Sequence, residues 1–155
     1  MRLTTNNILA LDQATHCGWA HSCGKNGVLD LSVKADESRE MRLIRFRQHL
    51  QQIHKDYGID LIVFEASRNL KFGNAVKIAA QLQAVIEMFC YDSGINYKGY
   101  SAKTIKKFAT GNGNASKEMM MEAANEKWPK IKLISNDHAD ALWLLEMVKE
   151  EYNLN

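Results

Sequence analysis

The stretch Asn7-Ile8-Leu9-Ala10-Leu11-Asp12 decides how the rest of the chain is read. Four aliphatic residues in succession, with no polar break, predict a strand buried on both faces of a sheet. Such a strand delivers Asp12 to the edge of a core, where an ionised carboxylate is costly unless a cation or hydrogen-bond donors compensate it. Standing alone, an acid there would do no more than form the turn at a strand end. The chain, however, repeats the arrangement twice.

The first repeat is Ile59-Asp60-Leu61-Ile62-Val63-Phe64-Glu65, again rich in β-forming apolar residues and again ending in an acid. Between the two runs, Asp36 to Tyr57 reads as a helix with Met41, Ile44, Phe46, Leu50 and Ile53 along one stripe, stopped by Gly58. A strand reached through a helical crossover runs parallel to an earlier one, so the two strand ends share an edge of the sheet. Two carboxylates about 4 Å apart at an effective dielectric near 20 repel by roughly 4 kcal/mol, and a divalent cation between them is the simplest relief. The second repeat is Ser135-Asn136-Asp137-His138-Ala139-Asp140-Ala141-Leu142-Trp143-Leu144-Leu145, a helix capped by Ser135 or Asn136. An acid in a first helical turn is favoured by the helix dipole. Asp137 and Asp140 are also three apart, hence on one face, and Leu144 carries that face into apolar surface. Set against Asp12 and Glu65, they would complete a nest of carboxylate oxygens suited to Mg2+ or Mn2+.

The remaining segments supply the frame. His16 to His21 and Val28 to Val33 are predicted strands of a hairpin, and Gly73 to Tyr91 a helix with Val76, Ile78, Ala79, Leu82, Val85, Ile86 and Phe89 at helical spacing. The alanine content of that helix would also suit close contact with a second subunit. Ile95 to Tyr100 is a further strand, and Ser101 caps a short helix, Ala102 to Ala109. Then comes Thr110-Gly111-Asn112-Gly113-Asn114-Ala115-Ser116-Lys117, whose glycines would let a phosphate approach the backbone before a helix that runs to about Lys127. His16, Cys17, His21 and Cys23 have zinc-ligand chemistry, but strand alternation sends them to opposite faces, so a zinc site is discounted.

A chain of 155 residues is read as one domain, 1–155, with an ordinary soluble composition at 46% hydrophobic and 25% charged residues. No apolar run approaches the roughly 18 residues of a membrane span, and Met1 to Asn7 lack the apolar core of a signal peptide. The expected location is the cytoplasm, or the host cytoplasm if the protein is phage-encoded. Cys17, Cys23 and Cys90 fit reduced thiols there. Net charge is only +2, but no acid lies between Glu65 and Glu87, a span holding Arg68, Lys71 and Lys77. None lies between Asp92 and Glu118 either, where Lys98, Lys103, Lys106, Lys107 and Lys117 stand. Two purely basic stretches suggest one positive surface that meets phosphates.

Taken in order, Ile8 to Asp12, Val63-Phe64-Glu65, Tyr100-Ser101 with Lys106 and Thr110-Gly111-Asn112-Gly113, and Asp137-x-x-Asp140-Ala141-Leu142 resemble the RuvC family of Holliday-junction resolvases, within the RNase H-like superfamily. The chain looks closest to phage-type members, and the resemblance runs from Ile8 to about Leu145. It implies an α/β fold: a mixed five-stranded sheet, three antiparallel strands then parallel ones, helices on both faces, and a homodimer that cuts two strands of branched DNA symmetrically. Position by position it makes Asp12, Glu65, Asp137 and Asp140 the metal ligands, and Lys106 and Lys117 the lysines at the scissile phosphate. The family's Asp-Pro-Gly turn is here Asp12-Gln13-Ala14, and the wedge aromatic of cellular members is replaced by Arg68, with Phe72 one turn further on. His138 beside Asp137 leaves open which of the two is the ligand.

The implied chemistry is two-ion hydrolysis of a phosphodiester, with Asp12 bridging both ions, Lys117 among the catalytic groups, and Arg68, Lys71, Lys77, Lys103 and Lys107 tracking DNA backbone. Alternatives are a broader nuclease for flaps, forks and Y-junctions, favoured by Arg68, and a branched-DNA-binding module that does not cut. Asp12-Gln13-Ala14-Thr15 also looks like the first phosphate loop of sugar kinases and actin-like ATPases, which need a second lobe that 155 residues do not hold.

Overall fold

The computed structural model describes residues 6–66 and 73–154. β1 (Ile8–Asp12) is central in a five-stranded sheet ordered β3-β2-β1-β4-β5, with β2 (His16–His21), β3 (Asn26–Asp30), β4 (Leu61–Glu65) and β5 (Asn96–Tyr100). The β1–β2 and β2–β3 pairs are antiparallel, and the β1–β4 and β4–β5 pairs parallel. This is the mixed sheet expected from the sequence.

The period of two along β1 and β4 divides the core. Ile8, Ala10, Leu61 and Val63 face one layer, formed by α3 (Ala102–Thr110), α4 (Lys117–Lys127) and α5 (Asn136–Glu151). Leu9, Leu11, Ile62 and Phe64 face the other, formed by α1 (Glu40–Tyr57) and α2 (Asn74–Ser93). β1 has no solvent-facing side, which is why its run is unbroken. α5 is likewise buried nearly all round: Ala141, Leu142, Leu144, Leu145 and Val148 are interior, and Trp143 stacks against Trp128 at 4.7 Å between ring centres.

Two elements, β3 and α1, depart most from expectation. β3 begins at Asn26 and ends at Asp30, rather than spanning Val28 to Val33. The Asp30 carboxylate accepts from Ser32 N at 3.0 Å and Ser32 Oγ at 2.7 Å, turning the chain out of the sheet while Leu31 still enters the core. α1 begins at Glu40, not Asp36, because Glu37 accepts from Lys34 N at 2.9 Å and pairs with Arg45, holding a turn ahead of the helix. Gly58 ends α1 with φ 75°, its N–H bonded to His54 O.

Candidate nuclease active site

The same period of two that builds the core aims the acids. Asp12 follows Ile8 and Ala10, and Glu65 follows Leu61 and Val63, so both turn toward the α5 layer. Leu11 pairs with Phe64 in the parallel register, which makes Asp12 and Glu65 the next neighbours at the strand ends. Ser135 caps α5, accepting from His138 N at 3.2 Å, and the first turn sets Asp137 and Asp140 over the same edge. All four carboxylates line one cavity of about 230 Å³, with Lys106 and Lys117 in its wall.

The electrostatics are those of crowded acids. Burial first, then repulsion from Asp140, Asp137 and Glu65, holds the Asp12 carboxyl well above its ordinary range. Asp12 stands close to both Asp137 and Asp140, and burial together with their charge favours its neutral form. Asp140 is pushed up to about 6, by burial and by Glu65, against relief from Asp12 and Lys106. Glu65 is raised by burial, with Lys106 pulling the other way. Lys106 therefore acts on two acids at once.

As posed, no three side chains of His, Cys, Asp or Glu enclose an ion among the described residues. The donor set itself fits a hard divalent cation: oxygen only, four carboxylates, and two lysines to limit the excess charge. A second cavity, about 260 Å³, lies on the α2 side and shares Asp12, Glu65 and Asp137. Gln13 reaches it, donates to Glu65 O at 2.8 Å, and so ties the ends of β1 and β4 together. Its Oε1 is buried with no hydrogen-bond partner among the described residues, an acceptor open to a donor beside the acids.

His138, left open as a ligand by its place in the sequence, turns away. Its Nδ1 accepts from Ile134 N at 3.2 Å, so Nε2 carries the proton and donates to Asn26 Oδ1 at 2.7 Å. It is buried, which lowers its pKa, and it fastens α5 to β3. Gly18 also escaped the sequence reading. It pairs with Asp12, and a Cβ there would stand 1.9 Å from Asp137 O. Only glycine lets the first turn of α5 settle against β2 and bring its acids to Asp12.

The basic residues divide. Lys106 turns inward from α3, while Lys103 and Lys107 are exposed on its outer side. Lys98 is paired with Glu151 at 3.0 Å. Lys77 lies on the side of α2 away from the acids, whereas Lys106 and Lys117 line their cavity. The glycines of the α3–α4 loop have local reasons: Gly111 caps α3 at φ 81°, and Gly113 leaves room for the Lys103 stem. Their result is that α4 starts at Lys117, on the cavity rim. Arg68, Lys71 and Phe72 lie outside the described residues.

The family model described as crossover junction endodeoxyribonuclease RuvC matches residues 15–145. The chain belongs to the RuvC family. Among curated RuvC proteins, that of Brachyspira hyodysenteriae is 29% identical over 135 residues, covering 81% of this chain and 82% of its own. That of Gloeobacter violaceus is 27% identical over 117 residues, covering 75% of this chain but only 66% of its own length. Among solved structures, Thermus thermophilus RuvC superposes with a TM-score of 0.72 at 14% identity, over 95% of this chain and 96% of that one. The same protein in complex with Holliday junction substrate gives 0.71 at 15% identity, over 89% of each chain. The RuvC fold is thus kept where few residues are shared. No helix among the described residues is long and apolar enough to cross a membrane.

Proposed function

We propose that this RuvC-family chain, read as one nuclease domain, cuts phosphodiester bonds in branched DNA, Holliday junctions foremost, using Mg2+ or Mn2+ held by Asp12, Glu65, Asp137 and Asp140. The observation that carries the reading is that acids from three distant segments line one cavity whose wall also holds Lys106 and Lys117. When bound, a pair of such ions supplies activated water and stabilises the leaving oxygen. Asp12, on the central strand, has the most rigid mount of the four, which suits it to a place between two ions. Lys106 offsets negative charge on the Glu65 and Asp140 side, and Lys117, exposed on the rim, is available to a phosphate oxygen. Lys103 and Lys107 meet backbone outside the cavity.

The partner we assign is a second copy, docked through α2. Ala80, Ala84, Met88 and Tyr91 are exposed along one face of that helix, with Met88 65% and Tyr91 88% accessible. Such a pair would present two acid clusters to two strands, in the cytoplasm where DNA is open to it. A broader substrate range remains the second reading, favoured by Arg68 in place of the wedge aromatic.

The test is cleavage of labelled four-way, Y, flap, duplex and RNA-hybrid substrates, with cut sites mapped and sedimentation run alongside. Paired, symmetric cuts in the four-way junction, present in Mg2+ and absent in EDTA, are expected of a dimer. Equal cutting of flaps and Y-junctions would move the assignment to the broader nuclease. Binding without cutting would leave only a junction-binding module.

A further inference from the structure

On the other side of α2 from the acids lies a cavity of about 190 Å³ lined by Arg39, Arg42 and Lys77, with Glu40, Asn74 and Gln81 among its walls. Three cations face one carboxylate there. Glu37, just before α1, is already paired with Arg45. Arg42 is held in place by Leu31 O, which its Nε reaches at 3.0 Å, while neither Arg39 nor Lys77 has an ion-pair partner among the described residues.

The topology fixes where this groove sits. β3, two antiparallel steps from β1, runs in the same direction as β1 and β4. α1 follows β3 and α2 follows β4, so both helices start at the sheet edge that carries Asp12 and Glu65. Asn74, Lys77, Ile78 and Gln81 occupy one side of α2 and line the groove. Ala75, Val76 and Ala79 occupy the opposite side and line the cavity shared with the acids. The groove and the acids are therefore separated by the width of one helix, about 10 Å, or roughly three base-pair steps of duplex at an axial rise of about 3.4 Å each.

We infer that this groove is a second phosphate-binding site, gripping the backbone of the junction arm a few nucleotides from the bond cut at the acids. The inference rests on the reading of the chain as a branched-DNA nuclease and adds residues Arg39 and Arg42 to it. The groove contributes grip and register, with no part in bond breaking. A cut strand laid across this edge would cross the first turns of α2 between the two sites.

Binding is measured by fluorescence anisotropy on a labelled four-way junction, in an Asp12→Asn background so that nothing is cut. Arg39→Glu with Lys77→Glu should weaken binding about tenfold or more, and flatten the salt dependence by roughly two phosphate contacts. The milder pair Arg39→Gln with Lys77→Gln should give a smaller loss of the same kind, with circular dichroism unchanged. Lys25→Glu with Lys55→Glu reverses the same number of charges at exposed positions on the opposite edge, and should leave binding within about twofold. With Asp12 restored, the groove variants should need about tenfold more junction for half-maximal cutting, and Lys25→Glu with Lys55→Glu should not. Equal weakening by both reversals, or none by the groove pair while the parent binds and cuts, overturns the groove alone. A parent chain that neither binds nor cuts branched DNA overturns the groove and the nuclease reading together.

Discussion

The two faces of the sheet are built alike at the centre and unlike at one edge. Ile8, Ala10, Leu61 and Val63 on one side, and Leu9, Leu11, Ile62 and Phe64 on the other, are interchangeable in kind. One residue further along, the α5 side ends in Asp12 and Glu65, while the α1–α2 side ends in Gln13 and half-buried Ala66. Helices then amplify the difference: α5 adds two acids to its side, and the starts of α1 and α2 add arginines and a lysine to theirs. On the proposals made above, a single strand edge carries a place for cations and a place for phosphates, divided by α2. Chemistry and grip are assigned to different faces.

The sharpest way to break that division is Asp12→Asn. It removes one of the three acids shared by both cavities of the site, the one on the central strand, while keeping shape and burial. Mg2+-dependent cleavage of a four-way junction should fall by about 10³-fold or more, with junction affinity kept within a few-fold. Loss of affinity in step with activity would mean that the acid edge also carries the grip.

Gly18→Ala should come next. The added Cβ would stand 1.9 Å from the carbonyl oxygen of Asp137, and backbone cannot yield as a flexible side chain would. α5 must shift, taking Asp137 and Asp140 away from Asp12. We expect activity to drop by about 10²-fold, since a misplacement near 1 Å costs that much. Stability should fall by roughly 1–3 kcal/mol, the usual penalty for overpacking, read from chemical denaturation. The groove beside α1 should still bind DNA. An active, stable variant would show that α5 has freedom the close packing denies it.

How much of this was legible in the sequence follows from the range of the forces involved. Asp12 and Glu65 stood out because an unbroken apolar run is the signature of a strand covered on both faces, and an acid at its end is conspicuous. The pairing of Asp137 with Asp140 followed from helical spacing. Neighbourhood in space was harder. That His138 belongs to the frame depends on Asn26, 112 residues away, whose amide takes one ring nitrogen. Gly18 looked like any glycine in a hairpin, because its reason is the backbone of a helix far along the chain. The basic stretches were visible as runs, but a run has no side: Lys106 and Lys77 both belong to helices that start at the acid edge, and only packing sends one to the acids and the other behind α2. The end of β3 and the start of α1 were misjudged because side-chain bonds to Asp30 and Glu37, rather than hydrophobic period, set them.

The smallest effect tests whether the α5 edge is strained by its own charge. Asp140 titrates at about 6 in the folded chain, against an ordinary 3.8, mainly through burial and then through Glu65. The folded protein therefore holds this proton more tightly than the unfolded chain does. The associated stability is complete below about pH 4 and is lost as pH rises through 6. Asp140→Asn removes that loss, because the amide carries no charge to bury. In EDTA, the variant should match the parent at pH 4 and exceed it at pH 8 by about 1–3 kcal/mol, an upper range set by roughly 1.4 kcal/mol per pKa unit. Mg2+ should reverse the order at pH 8, raising the melting temperature of the parent more than that of the variant. The α1–α2 edge, having no such acids, should show no matching response when Lys77 is neutralised. If calorimetry finds the two proteins equally stable in EDTA at pH 8, the acids are not in each other's field, and the contrast between the two edges loses its electrostatic basis.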